Sequence, residues 1–287
     1  MPSISHLRSL VAIADTGSFS EAARALGIAQ STISQHVARL EHALGTRLIH
    51  RGGVVRLTAT GTYVCRQARG IRRLHDRILA ARTRPPLAIG ASSNIGTYLL
   101  EPVMRRLGQA CGADALNMRV ASNPAIADAL DAGEIDIGLM EWWDGRPGFR
   151  ARKWRDEELV VIVPRNHRWS GRDCIRPADL ADVPLIGGES GSGTGRLLKE
   201  YLASSGIEPR VGLTLGNTEA VKRAVINGLG TSIVLAGTVA DEVRRGELHA
   251  LPLAGGGVRK ALQIVHPEEL ADEPRKNEFV DLLHEHG

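Results

Sequence analysis

Glycine and serine dominate the stretch GGESGSGTGR (residues 187–196), which follows the apolar VPLI and leads into the helical-looking RLLKEYLASSG. A strand, a Gly-rich turn and a helix start together make an anion pocket, because free backbone N–H groups and the positive end of the helix dipole point the same way. Two kinds of catalysis would use such a turn. A phosphate-cradling Walker A loop requires G-x-x-x-x-G-K-[ST]; Gly188 and Gly193 have the spacing, but Thr194 stands where the lysine must be. A nucleophile elbow requires G-x-S-x-G; Ser190 follows Gly188 but precedes Ser192, and Ser192 is flanked by Ser190 and Thr194. The turn can hold an anion and lacks the groups to react with one. A ligand-free surface turn has the same composition, so its context must decide.

The other chemistry-bearing residues add no catalytic set. The histidines do not cluster, and His284 and His286 around Glu285 read as a solvated C-terminus. Cys65, Cys111 and Cys174 form neither a disulfide framework nor a C-x-x-C pair. Cys65 lies among arginines, which favour a thiolate; burial in the seam of a helix is the competing reading. Acidic residues are scattered without a pair for general acid–base work, and the DEE at 156–158 reads as a solvated turn. No enzyme activity, metal or cofactor is expected.

The chain of 287 residues is long enough for two or three domains. No basic-then-apolar leader and no run of membrane-spanning length is present, so a soluble, cytoplasmic protein is expected. The net charge of +4 hides an asymmetry. Residues 1–84 hold 13 arginines and no lysine against four carboxylates, a balance of +9, while the remainder carries −5. A basic head on an acidic body suits nucleic-acid binding, although an arginine-rich solvated helix would look similar.

In that head, Leu7, Leu10, Val11 and Ala14 repeat at helical spacing until Gly17. FSEAARALG, capped by Ser18 or Ser20, ends at Gly27, and a third helix starts near Gln30 with Ile33, Val37, Leu40 and Leu44 on its buried side. Two short helices, a tight turn and a longer helix spell helix-turn-helix. The first turns of the third helix present Gln30, Ser31, Thr32, Ser34 and Gln35, residues able to meet base edges in a major groove. Arg39 suits a backbone phosphate, and His36 could also touch DNA. TRLIHRGGVVRLTATG then reads as a two-stranded wing, from which Arg51 could enter the minor groove.

FSEAARALGIAQSTISQHVARLEHALGTRLIHRGGVVRLTATG closely resembles the DNA-binding domain of LysR-type transcriptional regulators. The shared features are A-A-x-x-L, S/A-Q-x-x-[IV]-S, L-E-x-x-L-G-x-x-L-[FI]-x-R and L-T-x-x-G, in order over residues 22–61. Ala29, Ile49 and Gly53 depart from the family's usual serine, phenylalanine and basic wing residue. The following helix repeats Val64, Ile71 and Ile78 every seven residues, a coiled-coil seam. In the family this linker pairs two subunits. The resemblance implies promoter DNA as partner, a dimer that assembles into a tetramer, and RNA polymerase as a candidate partner.

Beyond Pro85-Pro86, strand and helix patterns alternate as in a parallel α/β sheet. The expected fold is α/β: a winged helix-turn-helix (1–58), a linker and dimerisation helix (59–84), and a two-lobed Rossmann-like effector domain. Its first lobe takes 87–162 and 262–287, and its second 163–261. LIGGESGSGTGRLLKEYL, LGNTEAVKRAVINGLGTSIV and IGASSNIGTYLLEPVM resemble the family's effector domain, itself similar to periplasmic binding proteins, and here most like the branch regulating sulfur and carbon assimilation. That resemblance lines an inter-lobe cleft with Ser92, Ser93, Asn94 and Thr97, then Ser122 and Asn123. Across from them it places Ser190, Ser192, Gly193 and Thr194, with Asn217 and Thr218 opening the next helix. These donors suit a small carboxylate, sulfate, sulfite or phosphate-bearing metabolite. Trp142 and Trp143 could wall the cleft or pack under the crossover, and Glu141 could take a ligand amine or hydroxyl, or an adjacent arginine.

Overall fold

Ser3 starts the first helix by accepting from the His6 N–H while its own N–H donates to His6 Nδ1 at 3.3 Å. In this computed structural model, which describes residues 3–50, 55–79, 86–101, 103–106, 116–181, 183–189, 192–271 and 274–285, three helices follow in close succession. They are α1 (Ile4–Thr16), α2 (Phe19–Leu26) and α3 (Gln30–Leu44). Ser18 caps α2 by accepting from Glu21 N. Ala29, at the matching position of α3, supplies no side-chain cap. Leu10, Val11, Ile13, Ile33, Val37 and Leu40 fill the core between them. Leu44 lies outside it, 45% exposed, so the apolar stripe of α3 ends one turn earlier than its periodicity suggests.

The wing and the next helix are locked by side chains of the L-E and L-T-x-x-G motifs. Glu41 Oε1 accepts from Leu48 N at 2.8 Å and Ile49 N at 3.3 Å, which sets the start of β1 (Ile49–His50). That strand pairs antiparallel with β2 (Arg56–Leu57). Arg51 and Gly53 lie outside the described residues. Thr58 donates to Arg47 O and accepts from Gly61 N, capping α4 (Ala59–Leu79).

Helix α4 continues through Gly70. Its first turns belong to the winged-helix core: Cys65 and Ala68 are buried there, and Arg69 pairs with Asp15 at 2.5 Å. Cys65 is thus neither an activated thiolate nor a seam residue. Burial pushes its thiol up, against the opposing pull of Arg69. The seven-residue repeat divides accordingly: Val64 packs on this core, whereas Ile71 and Ile78 are exposed.

The chain forms two compact units, Met1–Pro85 with Asp131–Glu134, and Pro86–Leu130 with Ile135–Gly287. The second is built on a seven-stranded sheet. β3 (Leu87–Ser92) pairs in parallel with β4 (Leu116–Ala121) and β5 (Ile137–Met140), which α5 (Asn123–Ala132) precedes. β3 is buried along almost its whole length, the mark of a parallel strand covered on both faces. The expected helix after β3 begins as a π-turn, Ile95–Leu99, in which Leu100 N donates to Ile95 O. Gly96 lets that turn lie directly on Val120.

A long strand, β6 (Phe149–Pro164), then serves both lobes. Leu185–Gly187 (β7) pairs in parallel with Val211–Thr214 (β8) as a separate ribbon, with α6 (Thr194–Ala203) between them. α7 (Thr218–Ile226), β9 (Ser232–Leu235), α8 (Ala240–Arg244), β10 (Leu248–Pro252), β11 (Val258–Pro267) and α9 (Pro274–Glu285) complete the chain. β11 runs antiparallel to β5 and β6, while β9 and β10 flank the second half of β6. The DEE at 156–158 is therefore strand rather than turn. Glu157 and Glu158 lie opposite Lys260 and Arg259 in the ladder, and Glu157 is buried with its carboxylate held by Arg155 and by Gly237 N.

Candidate functional site

On α3, Gln30, Ser31, Ser34, Gln35 and Arg39 are exposed and Thr32 is half-buried. The helix turns its apolar side to α1 and α2, so these residues share the outward face. Ser20 Oγ donates to Gln30 Oε1 at 3.0 Å, orienting the amide. His36 is engaged inside the unit instead: its Nδ1 lies 2.7 Å from Ser9 Oγ, and its ring packs on His6 at 4.8 Å.

In the second unit, a cavity of about 270 Å³ opens beside the Gly-rich turn. Gly187, Gly188 and Glu189 border it from the end of β7, and Ser192, Thr194 and Gly195 from the start of α6. Thr218 at the start of α7 and Asn94 after β3 close the polar side; Leu185, Val221 and Ile233 are among the apolar walls. Two helix starts thus meet one cavity, each with a threonine hydroxyl at its first residue.

A chain of polar contacts joins these elements across the lobes. Thr218 Oγ1 donates to Asn94 Oδ1 at 2.6 Å, and Asn94 Nδ2 donates to Glu141 Oε1 at 3.0 Å. The other Glu141 oxygen accepts from Lys260 Nζ, which also donates to Ser192 O and, at 3.2 Å, to Thr194 Oγ1. Glu141 and Lys260 are 2% and 3% exposed. Burial pulls the Lys260 ammonium below the usual lysine range, and Glu141 opposes that pull. The carboxylate of Glu141 is therefore engaged by a lysine and an asparagine, neither a ligand nor an arginine.

Asn94, Ser192, Thr194 and Thr218 are brought together at the cavity. Gly193 adjoins them with φ 78°, and a Cβ there would stand 2.7 Å from Trp142 Cδ1, so the indole is pressed against the turn. Trp143 points elsewhere, edge-on to Phe149 at 5.5 Å. Several expected ligand contacts have other duties. Asn123 accepts from Glu141 N at 2.8 Å and donates to Trp142 O at 3.0 Å, which fixes that backbone turn. Ser93 donates to Ala121 O, Ser122 accepts from Ala125 N, and Asn217 caps α7 by accepting from Ala220 N. Ser92 is fully buried, Thr97 is exposed, and neither borders the cavity. Ser190 lies outside the described residues.

Sequence reasoning missed Lys260 and Glu189. A signal for Lys260 existed: strand alternation puts it on the face of Leu262 and Ile264, both buried. Glu189 sits within the Gly-rich stretch but carried no motif. Among the described residues, no group of three or more His, Cys, Asp or Glu stands where it could hold a metal ion, and no helix is long and apolar enough to cross a membrane.

Residues 4–62 match the family model described as bacterial regulatory helix-turn-helix protein, lysR family, and residues 80–287 match the LysR substrate binding domain. The putative HTH-type transcriptional regulator protein PtxE of Stutzerimonas stutzeri is 45% identical over 190 residues, covering 66% of this chain and 97% of that protein. The HTH-type transcriptional regulator CysL of Bacillus subtilis is 25% identical over 284 residues, 96% of this chain and 95% of its own. A full-length OxyR variant from Pseudomonas aeruginosa has a similar fold, with a TM-score of 0.72 at 23% identity over 100% of this chain and 99% of that one.

Proposed function

The chain belongs to the LysR family of DNA-binding transcriptional regulators, and from that premise we propose that its second unit senses a small anionic metabolite in the cavity beside Gly187–Gly195. One observation carries the reading: a Gly-rich turn and two helix starts, the kind of backbone that suits an anion, border the same cavity. The effector is bound without being transformed, by Asn94, Thr194, Thr218 and the backbone of the turn. Binding one lobe arrangement better than another shifts the assembly by that difference in affinity, and so changes the DNA contacts. The regulator acts in the cytoplasm as a dimer joined along the exposed face of α4 at Ile71 and Ile78, assembling further into a tetramer that contacts RNA polymerase.

Tryptophan fluorescence tests the effector reading, because Trp142 abuts the turn. Sulfate, sulfite, phosphate, phosphorylated sugars and simple carboxylates are titrated into the full-length protein. A saturable response to one of them, lost in Thr194→Val and Thr218→Val, is the expected result. Silence across the panel would overturn the anionic effector.

On the DNA side, Gln30, Ser31, Thr32, Ser34 and Gln35 read bases, Arg39 holds a backbone phosphate and Arg51 enters the minor groove. Gln30→Ala should narrow the gap between specific and non-specific binding by about 1–3 kcal/mol at fixed salt. An unchanged ratio in competition binding would remove Gln30 from the base-reading set.

A further inference from the structure

Ser20 has no capping duty. The N-cap of α2 is Ser18, which accepts from Glu21 N, so the hydroxyl two residues on is released for another partner. That partner is Gln30, at the first position of α3, whose Oε1 accepts from Ser20 Oγ at 3.0 Å. Among the described residues the hydroxyl has no other acceptor for its proton, so the amide turns its oxygen, not its nitrogen, toward α2. The backbone holds both ends of this contact. Ile28 N donates to Ala23 O and Gly27 N to Arg24 O across the turn, while Ala22, Ala23 and Ile33 are buried in one core.

A glutamine free to rotate can present either end of its amide to a base. Pairing with adenine uses both ends: the oxygen accepts from the N6 amino group while the nitrogen donates to N7. With Oε1 engaged by Ser20, the end left for DNA is Nε2, a pure donor. Guanine and thymine meet such a donor with a keto oxygen in the major groove, O6 or O4. Adenine and cytosine set an amino group there, which opposes donor to donor.

Resting on the assignment of Gln30 to base reading above, we infer that Ser20 is a positioning residue that sets the base preference of Gln30. It holds the amide so that its N–H groups meet guanine or thymine on the contacted strand, at the expense of adenine.

The test starts from duplexes that the full-length wild type selects from a random pool. Single-base variants of the selected site are then compared by competition binding at fixed salt, for the wild type, Gln30→Ala, Ser20→Ala and Ser20→Thr. Gln30→Ala should erase the preference at one base pair, and there the wild type should favour guanine or thymine on one strand. Ser20→Ala should narrow the gap between that base and adenine by roughly 3- to 10-fold, about the worth of one hydrogen bond, and leave the other positions unchanged. Ser20→Thr keeps the hydroxyl and should keep the gap. Ser20 is exposed, so thermal midpoints should match that of the wild type. An unchanged gap in Ser20→Ala, or a wild-type preference for adenine at that position, would overturn the role of Ser20 while leaving Gln30 a base reader. So would a uniform loss across all sequences with a smaller salt slope, which marks a phosphate contact instead. If Gln30→Ala alters no position, both readings fall.

Discussion

Lys260→Met should lower the stability of the second unit by about 3–5 kcal/mol, because it leaves the Glu141 carboxylate buried without its cation. In a unit of this size that corresponds to a thermal midpoint lower by on the order of 10 °C. The argument rests on burial and connectivity. Glu141 and Lys260 are both almost wholly inaccessible, and their contacts reach Asn94 after β3, Ser192 before α6 and Thr194 at its start. Removing one charge uncovers the desolvation cost that the pair offsets, whereas removing both should be far milder. Glu141→Gln combined with Lys260→Met is therefore expected to recover a substantial part of the loss, and this non-additivity is what a double-mutant cycle reads. A single Lys260→Met variant that melts with the wild type would show that the buried pair does not hold the lobes as described. The variant should also loosen the Gly-rich turn, since Lys260 ties down Ser192 O and Thr194 Oγ1.

Gly61→Ala should destabilise the winged-helix unit by roughly 1–3 kcal/mol and weaken DNA binding with it. A Cβ at this position would lie 1.9 Å from the Leu48 carbonyl oxygen and 2.8 Å from its carbon. Neither atom can yield cheaply: both are backbone, and the same oxygen accepts from Thr58 N at 2.9 Å. Relief requires moving the start of α4 or the strand that leads into the wing, and Glu41 holds that strand through Leu48 N and Ile49 N. Hydrogen exchange on the full-length protein gives the measurement, with faster exchange of amides in α1, α3 and α4 and no change in the second unit. Protection equal to that of the wild type would refute the close approach of α4 to Leu48.

Much of the first unit was legible residue by residue, because its signals are local. Helical spacing of Leu10, Val11, Ile33, Val37 and Leu40, glycines at the ends of the three helices, and the order of the family motifs all act within a few turns of chain. The same locality explains the misreadings. DEE at 156–158 looks like a solvated turn until Arg259 and Lys260 arrive from a strand about a hundred residues later. Cys65 looks activated by its arginine neighbours until the core of α1 and α3 closes over it.

The effector site divides along the same line. Amino-acid order alone determined that a Gly-rich turn precedes a helix and that Thr194 replaces the lysine a nucleotide-binding loop needs. It could not say which polar groups would face the cavity, because that depends on partners brought in from distant strands. Only the tertiary structure engaged Asn123 with the backbone of Glu141 and Trp142, buried Lys260 against Glu141, and brought Asn94 and Thr218 to the same cavity. The physical reason is that a side chain's donor capacity belongs to its residue type, but its availability to a ligand is decided by whichever groups satisfy it first.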